Sequence, residues 1–392
     1  MKIKINKNFD RVKESYLFSE IAKRVKAYAQ NNPDKKIIRL GIGDVTLPLP
    51  KAVTTAMHEA VNEMSEKSTF RGYAPEYGYD FLKEAIIKKY NGFNVSLDLN
   101  EVFVSDGAKS DVGNIVDILG NNTVLIPDPV YPVYMDSNLM SGRKIKLIEA
   151  NEENGFLPLP PKGKKTYVIY ICSPNNPTGA VYSKEQLKKW VDYANNSGSL
   201  IIFDSAYEAY ISGDYPHSIF EVEGANTCAI EIGSFSKYAG FTGTRCAYTV
   251  IPNGVQASGK KLNKMWSRRQ ATKFNGVAYV VQRGAEAVFS EEGKKECDEL
   301  VAYYMENAKI LSDLFTKKGI YFTGGINSPY IWLKCPNGMS SWEFFDYLLN
   351  EVQVVGTPGA GFGKAGEGYF RLTSFGDREN TIEAVKRLDG LL

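Results

Sequence analysis

Between residues 102 and 251, short apolar runs alternate with longer amphipathic ones, and this rhythm constrains the fold more than any other feature of the chain. The runs at 102–105, 123–126, 167–172, 200–203 and 227–232 are short and nearly continuous in Val, Ile, Leu and aromatic residues. A strand with one wet face alternates apolar and polar residues, whereas a strand covered on both faces does not. The stretches between them at 108–119, 131–140 and 184–195 read as helices. Strands of this kind joined by helices predict an α/β fold, with a mostly parallel sheet covered by helices. The run 246–251 is expected to lie antiparallel in the same sheet.

The flanks have a different rhythm. Residues 16–30 form an amphipathic pattern with Leu17, Ile21, Val25 and Tyr28 on one face, and the run 37–40 ends in Gly41-Ile42-Gly43-Asp44. Pro48-Leu49-Pro50 interrupts regular structure before a helix at 51–66. Residues 71–79 read as a loop rich in Tyr and Gly, placed either on the surface or at a site. Residues 257–318 are mostly helical, with Ser290 as an N-cap before acidic residues. Strands at 321–323, 330–333, 352–355 and 368–372, with helices at 341–350 and 378–391, suggest a smaller α+β domain. The expected partition is 1–47 as an N-terminal segment joining the small domain, 48–292 as the large domain and 293–392 as the small one.

Composition narrows the function classes. A formal charge of +2 over 392 residues gives no reason to expect nucleic acid or an anionic membrane as a partner. No run approaches the roughly 18 apolar residues of a membrane span, and the first residues lack the apolar core of a secretion signal. A cytoplasmic enzyme is the expectation. The five cysteines are isolated and odd in number, which argues against a disulfide framework or a zinc site. With only two histidines, His58 and His217, acid–base chemistry is expected to run on Lys, Tyr or a cofactor, with no metal.

In an open α/β sheet, ligands gather outside the carboxyl ends of the strands. The first of these ends leads into Asp106-Gly107-Ala108-Lys109, a small-residue turn suited to a phosphate, though many plain βα turns look alike. After the next comes Pro127-Asp128-Pro129-Val130-Tyr131, where Tyr131 is placed to stack on a planar ring or to fill the core. Ser173-Pro174-Asn175-Asn176-Pro177-Thr178-Gly179 follows the third, a rigid turn that gives an Asn side chain a fixed direction. Asp204-Ser205-Ala206-Tyr207 follows the fourth. A carboxylate there is costly to bury unless paired, and a protonated pyridine nitrogen or a helix N-cap would answer it. The last strand leads into Ser234-Phe235-Ser236-Lys237-Tyr238-Ala239-Gly240 and, beyond it, Arg245. Taken together, these are the groups that pyridoxal 5'-phosphate needs: a lysine to form an imine, hydroxyls and a cation for the phosphate, a donor for the ring oxygen and a carboxylate for the ring nitrogen.

The chain resembles the fold-type-I, class I/II pyridoxal-phosphate aminotransferases from Tyr16 to Arg371, on SPNNPTG at 173–179, DSAY at 204–207, SFSK at 234–237 and FRLT at 370–373. Within that group it is similar to the LL-diaminopimelate aminotransferase family, on ESYLFSEIAKR near the start, LGIGD at 40–44, FRGYAPEYG at 70–78, SDGAK at 105–109, FNG at 274–276 and TPGAGFGKAGEGYFRLTSFG at 357–376. The resemblance implies a mostly parallel seven-stranded sheet in the large domain, and catalytic roles for Lys237, Asp204 and Tyr207. It implies cofactor contacts from Ala108, Lys109, Tyr131, Asn176, Ser234, Ser236 and Arg245. Tyr73 is expected to reach the cofactor of a neighbouring subunit, in a homodimer with shared sites. Tyr16, Gly43, Lys109, Tyr131, Asn176, Asn275 and, across the dimer, Glu76 are expected to contact the substrate, with Arg371 as a fork for its α-carboxylate. Ala74 and Tyr248 depart from the family pattern, which has Gly and Trp there. The implied activity is amino transfer between LL-2,6-diaminopimelate and 2-oxoglutarate, giving tetrahydrodipicolinate and glutamate. The alternatives are a broad-range aspartate or aromatic aminotransferase on the same fold, and a non-enzymatic regulator that binds the cofactor.

Overall fold

The computed structural model describes residues 3–12 and 17–391. Helix α1 (Leu17–Asn31) and the two-residue strand β1 (Ile38–Arg39) are followed by α2 (Lys51–Ser65) and α3 (Asp80–Asn91). The alternating region then runs β2 (Val102–Ser105), α4 (Ala108–Asn114), β3 (Thr123–Asp128), α5 (Val133–Met140), β4 (Lys144–Glu149), β5 (Val168–Cys172), α6 (Lys184–Ser197), β6 (Leu200–Asp204), β7 (Ala229–Ser234) and β8 (Ala247–Val250). A small hairpin, β9 (Gln256–Ala257) and β10 (Lys260–Lys261), precedes α7 (Leu262–Lys273), α8 (Tyr279–Ala287) and α9 (Glu291–Lys318). The chain ends with β11 (Phe322–Gly324), β12 (Tyr330–Lys334), α10 (Ser341–Val352), β13 (Val354–Val355), β14 (Thr357–Pro358), β15 (Tyr369–Thr373) and α11 (Arg378–Leu391).

Seven strands form the large sheet in the order β2-β8-β7-β6-β5-β3-β4. Strand β8 runs antiparallel to both neighbours, and every other pair in the sheet is parallel. Two antiparallel steps restore the direction, so β2 points the same way as β7. The carboxyl ends of β2, β3, β5, β6 and β7 therefore share one edge. Within β5, Val168, Tyr170 and Cys172 pack into the core on one face, and Ile169 and Ile171 pack with Trp190 of α6 on the other. Burial on both faces is what the continuous apolar runs predict.

The remaining strands form a four-stranded antiparallel sheet, β11-β12-β15-β14, and β1 pairs in parallel with β13. A second core joins Val25, Ile38 and Leu40 from the start of the chain to Leu311, Phe315, Ile331, Phe370 and Leu388 near its end.

Four expectations need correction. Strand β4 was not expected, because Lys144, Lys146 and Glu149 give it the charged pattern of an exposed sheet edge. Helix α3 was not expected either, although Leu82, Ile86 and Tyr90 stand four apart and are buried. The helix expected over 108–119 tightens at Ile115 into a 3-10 turn. Val352 ends α10 instead of opening a strand, because Gln353 turns into the left-handed region at φ 54°. Among the described residues, no helix is long and apolar enough to cross a membrane.

Helix α9, 28 residues long, carries the link from fold to site. Ser290 caps it, its hydroxyl accepting from the Gly293 amide at 3.0 Å. Three turns along, the Tyr304 hydroxyl accepts from the amides of Thr46 (3.0 Å) and Leu47 (2.9 Å), which holds the chain just after Gly43-Asp44. Replacing Tyr304 by Phe keeps the ring and strands both donors. Chemical unfolding of Tyr304→Phe is expected to show a loss of about 1 kcal/mol, with unchanged secondary structure.

Candidate active site

A cavity of about 370 Å³ opens at the carboxyl edge of the large sheet. The geometry of the sheet explains why polar side chains collect there. Strands buried on both faces can present polar groups only at their ends.

Asp204 ends β6 and is almost fully buried. Its Oδ2 accepts from the Tyr134 hydroxyl at 2.6 Å and its Oδ1 from the Ala206 amide at 3.0 Å. Burial pushes its pKa up, and the two hydrogen bonds act against that. Tyr134 belongs to α5 and is itself fixed by a stacked contact with Tyr170, with ring centroids 5.2 Å apart. Tyr131, partly buried in the cavity wall, meets Tyr134 edge-on at 6.0 Å.

Lys237 lies beyond the end of β7. Its Nζ donates to the Gly43 carbonyl, and the Tyr210 hydroxyl donates to its backbone carbonyl at 2.9 Å. Burial lowers its pKa to about 8; the Asp44 carboxylate opposes this shift, and the Arg371 and Arg245 cations add to it. With this proton affinity the amine is neutral in roughly a tenth of molecules at pH 7, far more than an exposed lysine, as nucleophilic and basic lysines require.

Around Lys237, Ser234, Ser236, Ala108, Lys109 and Arg245 line one side of the cavity. Arg245 adopts a positive φ of 66°, and the Nη2 end of its guanidinium lies against Gly107. A Cβ at Gly107 would stand 2.0 Å from Arg245 Nη2, so only glycine lets the cation reach across the turn. The Ser236 amide donates to the Ser234 hydroxyl at 3.1 Å. Two hydroxyls and a cation converging on one small-residue turn make a cradle for an anion.

Opposite the cradle, the two sheets meet. Arg371 of β15 is buried, and its Nη1 donates to Asn176 Oδ1 at 2.7 Å, with Nη2 donating to the Gly41 carbonyl at 2.8 Å. The guanidinium is held between the rings of Tyr330 and Phe362, at 4.5 and 4.7 Å from their centroids. Asn176 Nδ2 lies 3.5 Å from the Tyr207 hydroxyl, which in turn shares a 2.6 Å hydrogen bond with Tyr330. The turn that carries Asn176 is pinned from the small sheet: Thr323 Oγ1 donates to the Thr178 carbonyl at 2.8 Å.

Gly43, Ala108, Lys109, Tyr131, Asn176, Asp204, Tyr207, Ser234, Ser236, Lys237, Arg245 and Arg371 are thus brought together as sequence reasoning expects. Tyr73, Glu76 and Asn275 do not line their own chain's cavity. Tyr73 is 89% exposed, and Asn275 is exposed beside it on a loop that packs against Pro75. Tyr16 lies outside the described residues. Tyr134, Tyr330 and Asp44 line the cavity but were not expected there. Tyr134 had a signal, its place one helical turn after Tyr131; Tyr330 had none, since its partner Tyr207 is 123 positions away. Of the two departures from the family pattern, Tyr248 lies in the core, where its hydroxyl accepts from Lys89 at 3.3 Å, and Ala74 lies beside Gly276.

The arrangement fits pyridoxal phosphate. A lysine amine, a buried carboxylate ending a strand, a hydroxyl and amide pair between them and the Gly107–Arg245 cradle supply each contact that the group requires.

Comparison with known proteins agrees. A family model described as aminotransferase class I and II matches residues 35–388. The chain is 54% identical to the LL-diaminopimelate aminotransferase of Agathobacter rectalis and 53% identical to that of Bacteroides fragilis, in each case over 99% of both chains. Among solved structures, L,L-diaminopimelate aminotransferase from Chlamydomonas reinhardtii superposes with a TM-score of 0.95 at 42% identity, covering 100% of this chain and 99% of that one. The chain belongs to the class I and II aminotransferases.

Proposed function

We propose that the chain binds pyridoxal 5'-phosphate and interconverts LL-2,6-diaminopimelate and 2-oxoglutarate with tetrahydrodipicolinate and glutamate. The observation that carries this reading is the full-length likeness to proteins named for that activity, joined to a buried lysine and a buried aspartate that line one cavity. In this reading the division at residues 47 and 292 separates the segments that carry the two halves of the site.

Lys237 would hold the cofactor covalently, Asp204 would pair with its ring nitrogen, and Tyr207 with Asn176 would serve its ring oxygen. Tyr131 would support the ring, and Ala108, Lys109, Ser234, Ser236 and Arg245 would hold the phosphate. When bound, the cofactor supplies an electron sink for the pair left at the substrate α-carbon. The Lys237 amine, with its proton affinity lowered to about 8, accepts the proton from that carbon. Arg371 receives the α-carboxylate as a two-pronged donor, oriented by Asn176, Gly41 and the rings on either side. Gly43 stands beside it: a Cβ there would lie 2.9 Å from the Tyr330 hydroxyl and 3.7 Å from Arg371 Nη2, leaving the substrate no room.

Diaminopimelate carries an ammonium and a carboxylate at its far end as well. Lys109 answers the carboxylate and Glu76 of the partner subunit the ammonium, with Tyr16 and Asn275 completing the site. A homodimer with shared sites is supported by Tyr73, which is 89% exposed on its own chain and does not line its own cavity.

A panel of amino donors tests the substrate. LL-Diaminopimelate is expected to support amino transfer to 2-oxoglutarate with ping-pong kinetics and to yield tetrahydrodipicolinate. Aspartate or tyrosine as the preferred donor would replace this reading with a broad-range one. Mixing two inactive variants tests the sharing of sites. Tyr73→Phe and Lys237→Ala, coexpressed in equal amounts, are expected to recover up to about a quarter of wild-type activity, because each mixed dimer then contains one intact site. Mixtures no more active than the separate variants would show that the sites are not shared.

A further inference from the structure

Beneath the phosphate cradle lies a carboxyl group that the proposed chemistry does not use. Asp111 is in the first turn of α4, is 1% exposed, and its amide donates to the Gly107 carbonyl at 3.1 Å. It therefore belongs to the same turn as Ala108 and Lys109. Its Oδ2 accepts from two neutral hydroxyls, Ser105 Oγ at 2.6 Å and Thr249 Oγ1 at 2.5 Å.

The charged and titratable groups on the elements packed around α4 are otherwise engaged or of the wrong sign. Asp106, at the end of β2, repels Asp111, and Arg269 of α7 attracts it from a distance while bonded to Asp117 at 3.1 Å. Asp117 also takes Lys273. Glu231 on β7 accepts from Tyr90 and Ser218, Tyr248 on β8 faces Lys89, and Tyr134 on α5 donates to Asp204. Asp136 on α5 and Cys246 before β8 complete the set. On α4 itself, Lys109 turns to the cavity, as does Arg245 from the facing turn.

We infer that Asp111 is a proton-linked residue of the cradle: its carboxyl takes up a proton from solvent when a phosphate group is seated there. This rests on the cofactor reading given above. Two negative groups on one turn repel, and the Asp111 carboxyl, raised to about 7, takes up a proton before a phosphate monoester, whose second pKa is about 6. The hydroxyl pair suits both states, because a serine or threonine hydroxyl donates to a carboxylate and accepts from a carboxylic acid. Lysine or arginine in their place could only donate and would hold the negative form. Burial already raises the pKa of Asp111 to about 7, against the two hydrogen bonds, so a small added repulsion is felt at physiological pH.

The test is calorimetric titration of the full-length apoenzyme with pyridoxal 5'-phosphate at pH 7.5, in buffers of different ionisation enthalpy, which counts protons. A rise of one unit from about 7 predicts that the wild type takes up about half a proton more per site than Asp111→Asn. With pyridoxal, which lacks the phosphate, the two are expected to agree. Equal counts with pyridoxal 5'-phosphate, or a difference that persists with pyridoxal, would overturn the inference. Should Asp111→Asn fail to fold, Thr249→Val keeps the carboxyl and removes one donor, and the pH of greatest uptake is expected to move upward; an unmoved pH would overturn the inference. Failure of the wild type to bind pyridoxal 5'-phosphate would overturn the cofactor reading and this inference with it. Binding with equal counts would overturn this inference alone.

Discussion

Asp204 ends a strand that has no wet face, and most of the site follows from how its carboxylate is answered. A buried carboxylate is tolerated only with hydrogen bonds or an opposite charge. Tyr134 supplies one bond from α5, and the backbone of the following turn supplies another. That turn continues through Tyr207 to Tyr210, which reaches the backbone of Lys237. One short stretch of chain after β6 therefore carries Asp204 and Tyr207 and reaches the backbone of Lys237.

The second half of the site depends on a contact between sheets. Arg371 projects from β15 of the small sheet, yet its guanidinium is bonded to Asn176 from the large sheet and to Gly41 from the N-terminal segment. Buried, charged and stacked, it can hold a carboxylate only if both sheets keep their places. Tyr330, with its hydroxyl on Tyr207, repeats the same bridge one strand over. The side chains that join the two halves thus also line the cavity.

These two halves were unequally legible in the sequence. Lys237, Asp204 and Asn176 each follow a continuous apolar strand, and the rule that ligands gather at strand ends finds them without any knowledge of packing. Tyr330 lies inside a strand of the other sheet, where nothing local separates a site tyrosine from a core one. Asp44 sits in an irregular stretch, and its effect on Lys237 is a matter of three-dimensional proximity. For the fold, burial on both faces made β5 and β6 plain, while β4, half exposed and charged, carried no such mark. The substrate end of the site, by contrast, was legible only through family resemblance, because Glu76 and Asn275 lie on loops outside the chain's own cavity.

The central claim is that burial at the strand ends makes the Lys237 ammonium far easier to deprotonate than that of an exposed lysine. Competitive labelling of the apoenzyme with acetic anhydride across pH 6–11, followed by the mass of the Lys237 peptide, measures this directly. The account predicts half-maximal reactivity near pH 8, roughly two units below an exposed lysine. Reactivity that rises only near pH 10.4, together with the other lysines, would contradict it.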